Sequence, residues 1–103
     1  MNKKFLYFIV GLGSIGKRHA VHFSNLLGEL VLIDPDPYVH SWASENIKKN
    51  FKYYKSINLI NADFNLSDFF SIAVISNWGN QHYSSLIDLK NLGVKTFSLK
   101  NLL

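Results

Sequence analysis

The sequence predicts an α/β fold: a five-stranded, mainly parallel sheet of strand order 3-2-1-4-5, covered by helices on both faces in a three-layer αβα arrangement. Three observations predict it. Continuous apolar runs alternate with segments of helical periodicity along the 103 residues, the pattern of a parallel sheet built with right-handed crossovers. A glycine-rich turn, Gly11-Leu12-Gly13-Ser14-Ile15-Gly16, joins the first run to the first helical segment. An acid, Asp34, ends the second run.

Phe5 to Val10 is apolar throughout and rich in aromatic and branched side chains, as a strand covered on both faces requires. From Ser14 to Leu27 the apolar residues Ile15, Ala20, Phe23, Leu26 and Leu27 recur at helical spacing, which predicts the first helix with Gly28 as its stop. Glu29 to Asp34 reads as the second strand, and Pro35-Asp36-Pro37 punctuates the chain before a helix over Tyr38 to Lys49. Phe51 to Tyr54 is the third strand. Ile57 to Phe70 carries no clear period, with Ser67-Asp68 expected to cap a short helical turn. Ile72 to Ser76 is the fourth strand, followed by the loop Asn77-Trp78-Gly79-Asn80. The helix from Gln81 to Leu92 puts Tyr83, Leu86, Ile87, Leu89 and Leu92 on its apolar side and stops at Gly93, and Val94 to Leu99 is the fifth strand.

With 48% hydrophobic and 17% charged residues, the chain has the composition of one folded domain. The net charge of +4 invites a polyanionic partner. However, the basic residues are scattered (Lys3-Lys4, Lys17-Arg18, Lys48-Lys49, Lys52, Lys55), so nucleic-acid binding is not expected. The absence of cysteine excludes disulfides, thiolate nucleophiles and cysteine-ligated metals, and fits a cytoplasmic location. Lys3-Lys4 and the apolar run after them mimic a signal peptide, but the run breaks at Gly11 and reaches Lys17-Arg18-His19 without a small-residue cleavage site. No run approaches the ~20 apolar residues of a membrane span, so a soluble protein without a membrane partner is expected.

Gly11, Gly13 and Gly16 complete G-x-G-x-x-G. Alone this is a weak signal. Following a buried strand, opening a helix, and trailed by an acid at about 20 residues' distance, it becomes the dinucleotide-binding fingerprint of a Rossmann domain. Gly11 permits the tight turn, Gly13 lets the backbone approach a pyrophosphate, and Gly16 allows helix and strand to pack closely. The helix N-terminus around Ser14 and Ile15 would offer N–H donors to the anion. The Asp34 carboxylate would accept hydrogen bonds from the adenine-side ribose and repel a 2′-phosphate, favouring NAD over NADP. Arg18 is the nearby group that would instead suit the extra phosphate.

The chain resembles the N-terminal domain of the glucose-fructose oxidoreductase and inositol dehydrogenase (Gfo/Idh/MocA) family. The resemblance is carried by I-V-G-L-G-S-I-G-K-R-H at Ile9 to His19, V-L-I-D at Val31 to Asp34, A-V-I-S-N-W-G-N-Q-H at Ala73 to His82, and G-V-K-T-F-S-L-K-N-L at Gly93 to Leu102. It implies hydride transfer between a nicotinamide and a hydroxyl-bearing carbon of a sugar, polyol or related small molecule. It also implies that Asn77, Trp78 and His82 join Gly11, Gly13, Ser14, Ile15, Gly16 and Asp34 in binding the cofactor. The family carries a glutamate-lysine-proline triplet after the fifth strand, whose lysine lies at the active site. Leu99-Lys100-Asn101 keeps only the lysine, so Lys100 is the implied catalytic residue. Trp78 stands where the family has proline.

His19 reads as structural, and no carboxylate or histidine shares the helical face of His22 or His40 at i, i+4 spacing, so no metal is expected. In the family a second, C-terminal domain supplies the substrate pocket, and residues 1–103 end where it would begin. The chain alone is therefore expected to be inactive and to expose apolar surface that promotes homo-oligomers. A stand-alone, catalytically inactive nucleotide-binding module, or a truncated gene product, is the alternative.

Overall fold

A computed structural model describes residues 4–60, 65–77 and 79–99. In chain order the elements are β1 (Lys4–Val10), α1 (Ser14–Ser24), β2 (Glu29–Ile33), α2 (Tyr38–Asn46), β3 (Phe51–Tyr54), two 3-10 turns (Ile57–Leu59 and Leu66–Asp68), β4 (Phe69–Ile75), α3 (Gly79–Leu92) and β5 (Thr96–Leu99). The sheet order is β3-β2-β1-β4-β5, and all four pairings are parallel. This is an α/β, Rossmann-like fold. No helix among the described residues is long and apolar enough to cross a membrane.

β1 explains why the sheet is buried on both sides. Successive side chains of a strand point to opposite faces, and both sets are apolar here. Leu6, Phe8 and Val10 join Val31, Ile33, Ala73, Ile75, Leu89 and Val94 in the core beneath α3. Tyr7 and Ile9 join Leu30, Leu32, Ala20, Val39 and Ala43 beneath α1 and α2. The helices change face because the strand order reverses between β1 and β4, which right-handed crossovers convert into a switch of layer. Phe8, Leu6 and Ile9 are fully buried, each worth about 1.5–3 kcal/mol of burial.

Several element ends differ from the sequence expectation, each for a packing reason. α1 stops at Ser24 instead of Leu27, where the Ser24 hydroxyl and the Asn25 amide both donate to the Val21 carbonyl. Leu27 is left 90% exposed rather than packed. The chain unwinds early because Gly28, at φ 137°, must pass so close to β1 that an added Cβ would lie 2.8 Å from the Phe5 carbonyl and the Tyr7 ring. α2 ends at Asn46 instead of Lys49, because Ile47 takes extended backbone and buries its side chain.

The cap of the second 3-10 turn is Asn65, not Ser67: its Oδ1 accepts from the Ser67 N–H and hydroxyl. β4 starts at Phe69, ahead of Ile72, in register with Lys4 of β1. α3 begins at Gly79, ahead of Gln81. Tyr83, expected on its apolar side, is 74% exposed. β5 begins at Thr96 because Gly93 and Val94 are spent ending α3: Gly93 N–H donates to Lys90 O and Val94 N–H to Leu89 O, a Schellman stop with Val94 packed beside Leu89 in one core.

Candidate functional site

The strand-order reversal opens a crevice at the carboxyl ends of β1 and β4, the place where open α/β sheets hold ligands. A cleft of about 450 Å³ occupies it. Its floor is the strand ends Val10 and Ile33 with Gly11 to Gly13, and Ser76 and Asn77 flank it on the β4 side. Asp34 and Pro35 stand at the tip of β2, Lys55, Ser56 and Ile57 follow β3, and Gln81, Ser85 and Asp88 come from α3.

The glycine turn is held from several sides. Gly11, at φ 87°, lies in the region that only glycine adopts freely. Its N–H donates to Ile33 O at 2.9 Å, and its carbonyl accepts from the buried Ser76 hydroxyl at 2.8 Å. A Cβ on Gly11 would sit 2.5 Å from Asn77 N, and one on Gly16 would sit 1.8 Å from the Gly11 carbonyl. Both glycines are therefore demanded by the protein itself. Gly13 is different: a Cβ there meets nothing within 4 Å, and its backbone (φ −72°, ψ −162°) suits any residue.

Gly13 is also the N-cap of α1 and supplies no side-chain cap. The first N–H to find an acceptor in the helix is Lys17, bonded to Gly13 O, so the amides of Ser14, Ile15 and Gly16 have no intrahelical acceptor. The side chains of Ser14 and Ile15 do not line the cleft, leaving their contribution to the backbone. Arg18 is exposed on α1 and is also absent from the cleft walls.

Asp34 is half-buried one residue beyond β2. Its Oδ2 accepts from Leu12 N–H at 2.7 Å and its Oδ1 from Asp36 N–H at 2.9 Å. Each carboxylate oxygen can accept a second donor, so the side chain is oriented without being saturated. Beside it, the Tyr53 hydroxyl donates to the carbonyls of Asp34 and Asp36. Burial, and then the negative charges of Asp34 and Asp36, push the Tyr53 phenol above its ordinary value, which keeps it a neutral donor.

Asn77 Nδ2 donates to Ser85 Oγ at 2.8 Å, and its backbone carbonyl lies 2.7 Å from His82 Nε2. Its Oδ1 is buried without a partner among the described residues, an acceptor that costs about 1–3 kcal/mol while unmet. The His82 ring is thus directed at the loop carbonyl, and His82 does not line the cleft. Trp78 and Lys100 lie outside the described residues.

The structure therefore brings together Gly11, Gly13, Asp34 and Asn77 around the cleft, with Gly16 buried behind the turn. Sequence reasoning missed Ser76, Lys55, Ser56 and the α3 wall. The spacing of Gln81, Ser85 and Asp88 follows one face of a helix and was readable as a polar stripe. Nothing local marks Lys55 or Ser56. No family model, curated protein or solved structure matches the chain.

Proposed function

We propose that the cleft binds a dinucleotide, NAD in preference to NADP, and that the chain is the cofactor-holding domain of an oxidoreductase of the Gfo/Idh/MocA type. The observation that carries the reading is Gly13. Its lack of a side chain relieves no contact with the described residues and spares none of the backbone strain that Gly11 avoids. A glycine that the fold does not need, facing an open cleft beside amides without intrahelical acceptors, suits an anion that comes to backbone distance.

In this reading the Gly13, Ser14 and Ile15 amides donate to the pyrophosphate, and the positive end of the α1 dipole supports the same charge. The free lone pairs of Asp34 accept from the ribose hydroxyls, and a 2′-phosphate beside that carboxylate is repelled. The buried Asn77 Oδ1 awaits a donor from the ligand. The nicotinamide, when bound, supplies or accepts a hydride at a hydroxyl-bearing carbon of a sugar, polyol or related small molecule. Lys100 would orient and polarise the reacting oxygen. Enclosing that substrate requires a second domain to hold donor and acceptor in near-attack geometry. A nucleotide-binding module without catalysis is the second reading, favoured by the departure from the family triplet at Leu99-Lys100-Asn101.

A thermal-shift titration with NAD, NADP and ADP-ribose tests the binding claim that both readings share. A ligand at a hundredfold excess over its Kd stabilises by about 2.7 kcal/mol, which for a domain of this size raises Tm by roughly 10–20 °C. An unmoved Tm at millimolar concentrations of all three ligands would refute it.

A further inference from the structure

Asp88 is a half-buried residue that lines the cleft, and its carboxylate makes no hydrogen bond or ion pair with the described residues. It belongs to the polar stripe of α3, which runs from Gln81 through Ser85 to Asp88 over roughly 10 Å at 1.5 Å per residue. α3 packs against the 3-10 turn Ile57–Leu59, and the stripe and Ile57 line the same cleft as Ile33 and Asp34 at the end of β2. The space between has an apolar floor, Val10, Ile33 and Ile57, with the α3 stripe as a polar wall and Lys55 and Ser56 also lining it. That is the shape of a site for a flat heteroaromatic ring with an apolar face and a hydrogen-bonding edge.

From these placements we infer that Asp88 reads the exocyclic amino group of a purine base, adenine in the dinucleotide assigned above, on which the inference rests. With the ribose held by Asp34, the base hanging from that ribose extends between Ile57 and the α3 stripe. An ionised aspartate only accepts hydrogen bonds, so it matches the 6-amino group of adenine and repels the 6-oxo group of hypoxanthine. The Ser85 hydroxyl, already accepting from Asn77 Nδ2, keeps its own O–H to donate to a ring nitrogen.

The test compares NAD with its analogue in which hypoxanthine replaces adenine, titrated calorimetrically into the full chain. Hydrogen bonds to charged groups are among the stronger ones, and the native chain should bind NAD about tenfold or more tighter than the analogue. Asp88→Ala should remove most of that ratio by weakening NAD alone. Asp88→Asn keeps the side-chain size and offers an amide N–H to the oxo group, so it should narrow the gap by strengthening the analogue. Equal affinities in the native chain, or an Asp88→Ala variant that loses both ligands equally, would overturn the role of Asp88 while leaving dinucleotide binding intact. Failure of the native chain to bind either ligand would overturn both.

Discussion

The three glycines of the turn make separable predictions, because the structure gives each a different reason to lack a side chain. Gly16→Ala drives a Cβ to 1.8 Å from the Gly11 carbonyl, and overpacking against backbone costs about 3 kcal/mol or more. Gly11→Ala combines a left-handed φ of 87° with a contact at 2.5 Å to Asn77 N. The first term costs about 1–2 kcal/mol and the second about 1–3 kcal/mol. Gly13→Ser meets nothing within 4 Å and puts a good N-cap residue where α1 has no side-chain cap. The fold should be unchanged or a few tenths of a kcal/mol more stable. Urea melts should therefore show losses for Gly11→Ala and Gly16→Ala near 3 kcal/mol, or a fall in Tm of about 12–24 °C, and none for Gly13→Ser. NAD titration of the folded Gly13→Ser chain should show at least a tenfold loss of affinity, since the new side chain occupies the diphosphate's approach. If Gly13→Ser binds NAD as well as the native chain, or unfolds as readily as Gly16→Ala, the assignment of Gly13 to the ligand is wrong.

Asp34→Ala should weaken NAD about tenfold and NADP less, read by calorimetry, with a loss of about 1–3 kcal/mol in chemical denaturation because Leu12 N–H loses its acceptor. Equal losses for both nucleotides would show that the carboxylate does not read the ribose. Ser76→Ala strips the Gly11 carbonyl of its buried hydroxyl partner and should cost about 1–2 kcal/mol in the same melts, with ligand affinity falling as the turn loosens. Burial raises the phenol pKa of Tyr7, and burial with the Asp34 and Asp36 charges raises that of Tyr53 above 10.0. The folded state then holds these protons more tightly than the unfolded one, so their stabilisation is complete below pH 10 and is lost as pH rises through the folded values. Denaturation midpoints should fall above that pH, and Tyr53→Phe should flatten the decline; an unchanged slope would count against the Tyr53 contribution.

The strands and the glycine turn were legible because their causes are local. A run such as Phe5 to Val10 is apolar on both faces only if both faces are covered, and the spacing of Gly11, Gly13 and Gly16 to a following acid is counted along the chain. β3 came out with its expected ends, and strand order followed from alternating elements and crossover handedness. Element ends were less legible where a distant group decides them. α1 stops early because Gly28 has to pass under Phe5 and Tyr7, and β5 starts late because Val94 is committed to the α3 stop.

The amino-acid sequence by itself therefore determined the fold class, the turn at the sheet's switch point and the acid beside it, since periodicity and glycine content act through near neighbours. Only the tertiary structure decided which glycine the protein could spare, where the buried Asn77 acceptor is stranded, and that Asp88 faces the same cleft as Asp34. Those properties depend on α3 and the Ile57–Leu59 turn meeting across the sheet, a contact between segments far apart in the chain that no local pattern encodes.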